Sequence, residues 1–405
     1  MFPHGCDGRM DNEALPSLLP VYKRYDLAFA RGEGAYLWTT DGRRMLDFCS
    51  GIAVTGLGHA HPHLVQALTE QAGKLWHVSN LFQIPELERL ADRLVAHSFA
   101  DTVFVCNSGA EAMEACIKMV RRFHWARGEP ERHRIVTFEG AFHGRTMAAV
   151  SAAGGKKLTE GLDPLLPGFD VLPFGDHEAV RAAIGPETAA ILIEPIQGEG
   201  GIRQVPPQCL QGLRALCDEH GLLLVLDEVQ AGMGRTGTLL AHEQAGPGVR
   251  PDIVGVAKGL GGGFPVGACL ATARAASGMT AGSHGSTFGG NPLACTVANA
   301  VLDVVLEAGF LEQVALRGRQ LRERLEAIAA RWQGLIAEVR GLGLLVGLRV
   351  PERSAALIKA LQEQGLVTAP AGEDVVRLLP PLTVSEGEID EACSMIEAAC
   401  AELRA

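Results

Sequence analysis

The segment GVAKGLGGG, residues 255–263, places one lysine among five glycines directly after the apolar run DIVGV. A lysine at a strand end can be withdrawn from water, which lowers its pKa and makes the amine nucleophilic. Because glycine admits backbone conformations closed to other residues, we expect the chain here to pass close to a group that Lys258 reaches. Taken alone, Lys258 also fits an exposed loop lysine.

Two further stretches offer complementary groups. Asp227 ends the apolar run GLLLVLDE, so its carboxylate is either a structural acid or the partner of a buried cation. Glu228 is expected to face the opposite side and to be structural. Ser108, Gly109 and Ala110 lie between a strand and a helix, where free N–H groups and the helix dipole favour a phosphate. A plain helix cap at Ser108 is the alternative.

Taken together, these groups match the needs of pyridoxal 5′-phosphate (PLP). The loop at Ser108 would hold the phosphate, and Lys258 would form a Schiff base with the aldehyde. Asp227 would keep the pyridine nitrogen protonated, so that the ring acts as an electron sink. The combination predicts a PLP site more specifically than any one of its parts.

The apolar patterning predicts the elements that must position these groups. From about residue 85, short apolar runs alternate with amphipathic segments, which is typical of an α/β domain with a largely parallel sheet. Strands are predicted over 102–106, 134–138, 189–196, 221–228 and 252–257. Helices are predicted over 86–98, 111–127, 207–221, 293–333 with a break near Gly309, 354–365 and 386–403.

The two chain ends are predicted to build a smaller domain. AYLWTTDGRRMLDF indicates a hairpin with an Asp-Gly turn, and Ser385 with Glu388 has the spacing of a capping box before the last helix. We expect residues 1–60 to join the small domain, 61–300 to form the large PLP-binding domain, and 301–405 to complete the small domain.

Ligands in open α/β sheets bind at the carboxyl ends of the strands. Side chains that follow the predicted strands are therefore expected to share one crevice. These residues are Ser108, Phe142, His143, Arg145, Glu199, Asp227 and Lys258.

Three longer motifs extend these stretches: LDEVQAGMGRTG, AKGLGGGFPVGA and HGSTFGGNPLA. With them the sequence resembles class-III PLP aminotransferases of fold type I nearly end to end, and among these the enzymes that act on acetylornithine. The resemblance implies a large domain with a mostly parallel central sheet and a smaller α+β domain from the two chain ends. It also implies a homodimer with shared active sites.

The resemblance gives roles to residues around the cofactor. It implies that Phe142 and Val229 cover opposite faces of the pyridine ring and that Gln230 hydrogen-bonds the phenolic oxygen. Thr287 would reach the phosphate of the neighbouring subunit's cofactor. His143 would support the site from behind.

Further residues are implied to bind the substrate. A guanidinium holds a carboxylate through two parallel hydrogen bonds. The resemblance gives Arg377 the α-carboxylate of glutamate, Arg145 the distal carboxylate, and Glu199 the role of pairing with Arg377 when the donor is a terminal amine. Ser286 and Tyr22 are the other residues assigned to substrate. From the residues alone, Arg377 also fits a half-buried edge position, and Glu199 a solvated loop acid.

The implied reaction is a ping-pong transamination. N2-acetylornithine would give N-acetylglutamate 5-semialdehyde, and 2-oxoglutarate would give glutamate, as in arginine biosynthesis. Ile52 stands where ornithine aminotransferases tend to have Tyr, which favours an acylated donor. Succinylornithine, succinyldiaminopimelate, ornithine or 4-aminobutyrate are alternative donors, and a non-catalytic PLP-binding regulator is the alternative of a different class.

Composition excludes several other classes. The chain has 405 residues and a net charge of −11, which disfavours a nucleic-acid partner. It has no apolar run of the roughly 20 residues needed to span a bilayer, so a cytoplasmic protein without a membrane partner is expected. Ten cysteines without CxxC pairs argue against zinc and dithiol sites, and no metal is expected.

Overall fold

The computed structural model describes residues 17–404, so residues 1–16 of the predicted N-terminal segment lie outside the described part. The strands are β1 (Phe29–Glu33), β2 (Tyr36–Thr39), β3 (Arg44–Asp47), β4 (Thr102–Cys106), β5 (Arg134–Phe138), β6 (Phe169–Leu172), β7 (Thr188–Ile193), β8 (Ile196–Gln197), β9 (Arg203–Gln204), β10 (Leu223–Asp227), β11 (Ile253–Val256), β12 (Gly267–Ala271), β13 (Glu338–Leu342), β14 (Leu345–Arg349), β15 (Leu366–Val367), β16 (Ala369–Ala371) and β17 (Val375–Leu378).

The helices follow the same chain order. They are α1 (Ser50–Ala53), α2 (Pro62–Ala72), α3 (Pro85–Ala96), α4 (Gly109–Ala126), α5 (Met147–Ala153), α6 (Lys156–Thr159), α7 (His177–Ala183), α8 (Pro207–His220), α9 (Ala273–Ala276), α10 (Pro292–Val305), α11 (Phe310–Arg331), α12 (Ser354–Gln364) and α13 (Glu386–Arg404). Short 3-10 turns cover Ala241–Ala245 and Lys258–Leu260.

The central sheet has seven strands in the order β4-β12-β11-β10-β7-β5-β6. The pairs β11–β10, β10–β7, β7–β5 and β5–β6 are parallel, whereas β12 runs antiparallel to β4 and β11. The predicted α/β fold with a largely parallel sheet is therefore confirmed. β12 was not predicted, because GACLA is made largely of small residues and carries little strand signal.

The predicted strands of this sheet all occur, with one division. The run 189–196 splits into β7 and β8 at Glu194 and Pro195, since proline cannot donate to a strand ladder. Helix α4 begins two residues earlier than predicted, because Ser108 is its N-cap and accepts a 3.2 Å hydrogen bond from the Glu111 N–H. The predicted end of α8 is confirmed, with Gly221 as a left-handed cap.

The long helical region of the second half divides as predicted. Gly309, at φ 87°, separates α10 from α11. In residues 17–404 no single helix is long and apolar enough to cross a membrane, and α10 and α11 meet both conditions only as a pair, which is bent by 72°. The capping box before α13 is confirmed, because Ser385 Oγ accepts from the Glu388 N–H and Glu388 Oε2 accepts from the Ser385 N–H.

The two chain ends pack together. The predicted hairpin is confirmed as β2 and β3, and β3 pairs in parallel with β15 through Leu46 and Leu366. A second sheet has the order β13-β14-β17-β16. Leu46 and Phe48 belong to the same buried cluster as Leu321, Leu348 and other residues of the C-terminal part. The exact division at residues 60 and 300 stays a proposal.

Two helical glycines give a matched test of packing. A Cβ atom at Gly318 in α11 would lie 2.6 Å from the Cα atom of Gly343, whereas one at Gly212 in α8 would meet nothing within 4 Å. We expect Gly318→Ala to lower the free energy of unfolding by about 2 kcal/mol through overpacking. Gly212→Ala is expected to raise it by about 0.5–1 kcal/mol through helix propensity. Chemical denaturation measures both, and equal effects would contradict this account.

Candidate active site

A cavity of about 430 Å³ lies at the carboxyl ends of the central strands. It brings together the seven side chains that strand-end positions had grouped. Ser108, Phe142, His143, Arg145, Glu199, Asp227 and Lys258 all line it. Gly109, Ala110, Val229 and Gln230 line the same cavity, whereas Tyr22, Ser286, Thr287 and Arg377 lie outside its lining.

Lys258 is half-buried and follows β11 directly. Burial lowers the pKa of its amine to about 8, and the charges of Glu199 and Asp227 limit the decrease while Arg377 adds to it. Its backbone is left-handed, with φ 43°, which for a residue with a side chain is uncommon and found at functional sites. The amine therefore has an appreciable neutral fraction near physiological pH.

The glycines that follow Lys258 serve mainly the turn itself. A Cβ atom at Gly261 would lie 1.9 Å from the Phe264 carbonyl oxygen, and one at Gly259 would lie 3.2 Å from the Met233 Cβ atom. Gly263, at φ 121°, lines the cavity. Close packing within the protein thus accounts for Gly259 and Gly261, whereas Gly263 lies at the cavity where the backbone was expected to approach the ligand.

Asp227 ends β10 and is held by two hydrogen bonds. Its Oδ2 lies 2.8 Å from His143 Nδ1, and its Oδ1 accepts the Val229 N–H at 3.0 Å. Burial works against a charged imidazole, but the Asp227 hydrogen bond and the charges of Asp227 and Glu194 leave the pKa of His143 raised. His143 thus fixes the orientation of a carboxylate that can face a cationic ring nitrogen. Glu228, as predicted, is structural: it binds the backbone N–H of Ala241 and His242.

The loop between β4 and α4 provides a cradle for an anion. The first turn of a helix leaves N–H groups without intrahelical partners, and the helix dipole favours a negative group there. Other segments of the same chain pack tightly against this loop. A Cβ atom at Gly109 would lie 2.7 Å from Val229 Cγ1, and one at Gly267 would lie 2.5 Å from the Ser108 carbonyl oxygen. The cradle is thus held rigidly beside Val229.

Arg377 in β17 is only 1% exposed, so the alternative of a half-buried edge residue is wrong. Its Nη1 donates to Glu199 Oε1 at 2.6 Å and to Gln230 Oε1 at 2.9 Å, and its Nη2 donates to the Pro370 carbonyl at 3.2 Å. Burial would raise the pKa of Glu199, but the Arg377 charge outweighs this and leaves it lowered. Glu199 is therefore an ion-pair partner rather than a solvated loop acid.

Of the other predicted substrate and cofactor residues, Arg145 lines the cavity and Ser286, Thr287 and Tyr22 lie outside its lining. Arg145 is exposed at the cavity, with its guanidinium carbon 5.6 Å from the Phe142 ring centroid. Ser286 Oγ accepts a 3.0 Å hydrogen bond from Asn107 Nδ2, which joins its loop to the anion cradle. Thr287 is exposed, and Tyr22 is 75% exposed.

Ile52 lies in α1, a short turn with unusual backbone geometry. The φ angles of Ser50, Gly51, Ile52 and Ala53 are all positive, between 48° and 64°, so the turn is left-handed. Ile52 packs against a buried cluster, and Val54, just beyond the turn, lines the cavity. Ile52 itself is not among the residues that line the cavity.

Glu194 was missed by the sequence analysis. It follows β7, lines the cavity and is 5% exposed. Burial, aided by the charge of Asp227, raises the pKa of its carboxyl to about 7. The signal was present in AAILIEPI, where an acid follows an apolar strand just as Asp227 does. The sequence analysis selected Glu199 instead, because it lies in the glycine-rich segment GEGG.

The side chains that line the cavity have the chemical groups that PLP binding requires. An amine of lowered pKa, a buried carboxylate, an anion cradle and an aromatic ring line one cavity. A mostly parallel seven-stranded sheet with these groups at its carboxyl edge defines a PLP-dependent transferase of fold type I.

Comparison with known proteins specifies the family. The profile of the family described as aminotransferase class-III matches residues 20–400, so the chain belongs to that family. It is an aminotransferase, as predicted. This assignment replaces the alternative of a non-catalytic PLP-binding regulator. Class-III aminotransferases depend on PLP, and PLP is the cofactor of this chain.

Relatives and solved structures agree with this assignment. The chain is 58% identical to acetylornithine aminotransferase 1 of Bradyrhizobium diazoefficiens, covering 97% of both chains. It is 41% identical to the crystal structure of N-acetylornithine aminotransferase from Stenotrophomonas maltophilia, with a TM-score of 0.82 and coverage of 94% and 97%. It is 30% identical to ornithine aminotransferase from Toxoplasma gondii, with a TM-score of 0.92 and coverage of 96% and 93%.

The lowered pKa of Lys258 can be measured by chemical labelling. In cofactor-free protein we expect a small amine-selective acylating reagent to label Lys258 with a pH midpoint near 8, because the neutral amine is the nucleophile. A lysine side chain in a model peptide titrates near 10.4. Peptide mass spectrometry over a pH series measures this, and added PLP should block the labelling. Labelling of Lys258 that rises only with the exposed lysines would contradict the assignment.

Proposed function

We propose that this protein transfers an amino group between N2-acetylornithine and 2-oxoglutarate, giving N-acetylglutamate 5-semialdehyde and glutamate. The observation that carries the proposal is the ion pair between buried Arg377 and the cavity-lining Glu199, 2.6 Å apart. The proteins of 55–58% identity that are named acetylornithine aminotransferases support the choice of donor.

The cofactor would be held by residues of the described cavity. Bound PLP would supply an electron sink for negative charge on the substrate carbon. The cradle at Ser108 would hold its phosphate and Asp227 its pyridine nitrogen. Phe142 and Val229 would cover the two ring faces, and Gln230 would donate to the phenolic oxygen.

Lys258 would carry the cofactor between turnovers and move the proton during them. A general acid–base group works best when its pKa lies near the operating pH, and burial brings the pKa of Lys258 to about 8. The left-handed turn and the packed glycines hold the lysine backbone in one place. Asp227, oriented by His143, would keep the ring nitrogen cationic.

The Arg377–Glu199 pair would let one cavity accept two donors. Glutamate carries a carboxylate next to its reacting amine, and Arg377 would clamp it once Glu199 moves away. N2-acetylornithine reacts at a terminal amine with no carboxylate beside it, so Glu199 would stay and neutralise Arg377. Arg145, exposed at the cavity, would bind the carboxylate at the far end of the substrate, with Ser286 and Tyr22 as further contacts.

We further propose a cytoplasmic homodimer in which Thr287 contacts the partner's cofactor. An apolar patch of exposed side chains lies beside Thr287 and supports an interface there. Its members are Leu75, Trp76, Leu81, Phe82 and Phe288. Asn80 ties the segment to the Thr287 loop by donating to the Ser286 and Gly289 carbonyls at 3.1 Å.

The assembly is tested by light scattering. The wild type is expected at twice the mass of one chain, and Leu81→Asp with Phe82→Asp is expected to shift it toward one chain. A monomeric wild type would contradict the dimer without affecting the assignment as an aminotransferase.

A panel of donors tests the proposed function. Purified protein with PLP and 2-oxoglutarate is offered acetylornithine, succinylornithine, succinyldiaminopimelate, ornithine and 4-aminobutyrate, and glutamate formation is followed. We expect acetylornithine to have the highest kcat/KM. A higher value for another donor would keep the reaction class and replace the substrate.

Removing the Arg377 guanidinium is expected to affect the two half-reactions unequally. Arg377→Ala deprives glutamate of its carboxylate partner, so its single-turnover rate should fall about a hundredfold, equivalent to about 2.7 kcal/mol. The acetylornithine half-reaction should fall by about tenfold or less, because its reacting amine has no neighbouring carboxylate for Arg377 to bind. Glu199→Gln is the matched control and should harm the acetylornithine half-reaction more. Equal losses in both half-reactions would contradict the pairing model of specificity.

A further inference from the structure

Glu194 occupies a position that no role described above uses. It follows β7 at the carboxyl edge of the central sheet, lines the cavity and is almost fully buried. A buried carboxylate is costly unless its oxygens are hydrogen-bonded. The partners of Glu194 therefore indicate what the protein gains from placing a charge there.

Both oxygens of Glu194 accept backbone N–H groups from two different loops. Oε1 accepts from Phe142 at 2.8 Å, and Oε2 accepts from Gly198 at 3.1 Å. The Phe142 loop joins β5 to α5, and the Gly198 loop joins β8 to β9. Phe142 is the proposed ring cover, and Gly198 immediately precedes Glu199, the partner of Arg377.

A second link joins Glu139, at the start of the Phe142 loop, to the strands on either side of the Gly198 loop. Gln197 Nε2 and Arg203 Nη2 both donate to the Glu139 carbonyl, at 3.1 and 2.6 Å. Arg203 also donates to Gln197 Oε1. This second link does not include Phe142 or Gly198, and Glu194 binds both of them directly.

We propose that Glu194 is a positioning residue that locks the Phe142 loop to the Glu199 loop, and so couples the cover of the cofactor ring to the carboxylate that neutralises Arg377. The proposal rests on the proposed function, because it assigns Glu199 to the terminal-amine donor. Only a carboxylate fulfils this role, since an amide offers one acceptor oxygen and would turn its NH₂ group toward the second N–H.

The cost of this lock is visible in the charges around it. Asp227 from β10, His143 from the Phe142 loop and Lys258 after β11 all interact with the Glu194 carboxylate. Burial and Asp227 raise the pKa of Glu194 to about 7, and His143 opposes them. The two N–H groups stabilise the Glu194 carboxylate at a buried position that otherwise disfavours its negative charge.

The test compares Glu194→Gln and Glu194→Asp with the wild-type holoenzyme. Gln loses one acceptor, and Asp is too short to reach both loops. A buried hydrogen-bond donor left unsatisfied destabilises the structure around it. We therefore expect both variants to release PLP about tenfold faster, followed by absorbance after transfer to cofactor-free buffer. The acetylornithine half-reaction should fall about tenfold and the glutamate half-reaction less than threefold.

Glu228→Gln is the matched control. Glu228 is also a buried strand-end carboxylate that accepts two backbone N–H groups, from Ala241 and His242, and it contacts His242 Nδ1 as well, but it lies outside the cavity lining. We expect it to lower the unfolding midpoint without changing PLP release or the ratio of the half-reactions. The same changes in Glu228→Gln, or equal falls of both half-reactions with unchanged PLP release in the Glu194 variants, would overturn the proposal.

Failure of the proposed function gives a different result. If wild-type protein shows no acetylornithine half-reaction, the donor is wrong, and the PLP-release comparison between the Glu194 and Glu228 variants still decides whether the loops are locked. Unchanged PLP release in Glu194→Gln, with a wild type active on acetylornithine, would refute the lock alone.

Discussion

Burial of opposite charges at one edge of a sheet is the constraint on which this structure depends. Arg377, Glu199, Asp227, Glu194 and Lys258 lie in or beside one cavity. Removing each charge from water costs several kcal/mol unless a partner is supplied. The partners here are specific: Glu199 for Arg377, His143 for Asp227, and backbone N–H groups for Glu194. For Lys258 burial outweighs the neighbouring carboxylates, and the lowered pKa that results is the property that its chemistry requires.

Much of this arrangement could be read from the sequence because it follows strand ends. Asp227 and Lys258 each stand where an apolar run stops, and the carboxyl ends of parallel strands share one edge. The burial of Arg377 could not be read in this way, because an arginine between valine and leucine fits both an edge and a core position. Its partners come from other elements: Gln230 is distant in sequence, and the Pro370 carbonyl belongs to β16.

Other features escaped the sequence for physical reasons that can be named. β12 consists mainly of small residues whose strand conformation depends on its neighbours β4 and β11. The glycines at 259 and 261 were interpreted through the ligand, whereas their close contacts are with Met233 and Phe264. The two N–H bonds to Glu194 join loops whose approach only the assembled sheet determines. Local patterns thus predicted which groups meet, and tertiary contacts decided how they are held.

The pairing of β3 with β15 also affects how the protein is made. Leu46 and Leu366 are neighbours in the one parallel pair of a four-stranded sheet, so most of the chain separates the two strands. Contacts of such long sequence separation form late, because the loop entropy must be lost before they are gained. During synthesis, β3 would leave the ribosome long before β15, with one edge open to other chains. The N-terminal hairpin therefore depends on the last part of the chain for protection against aggregation.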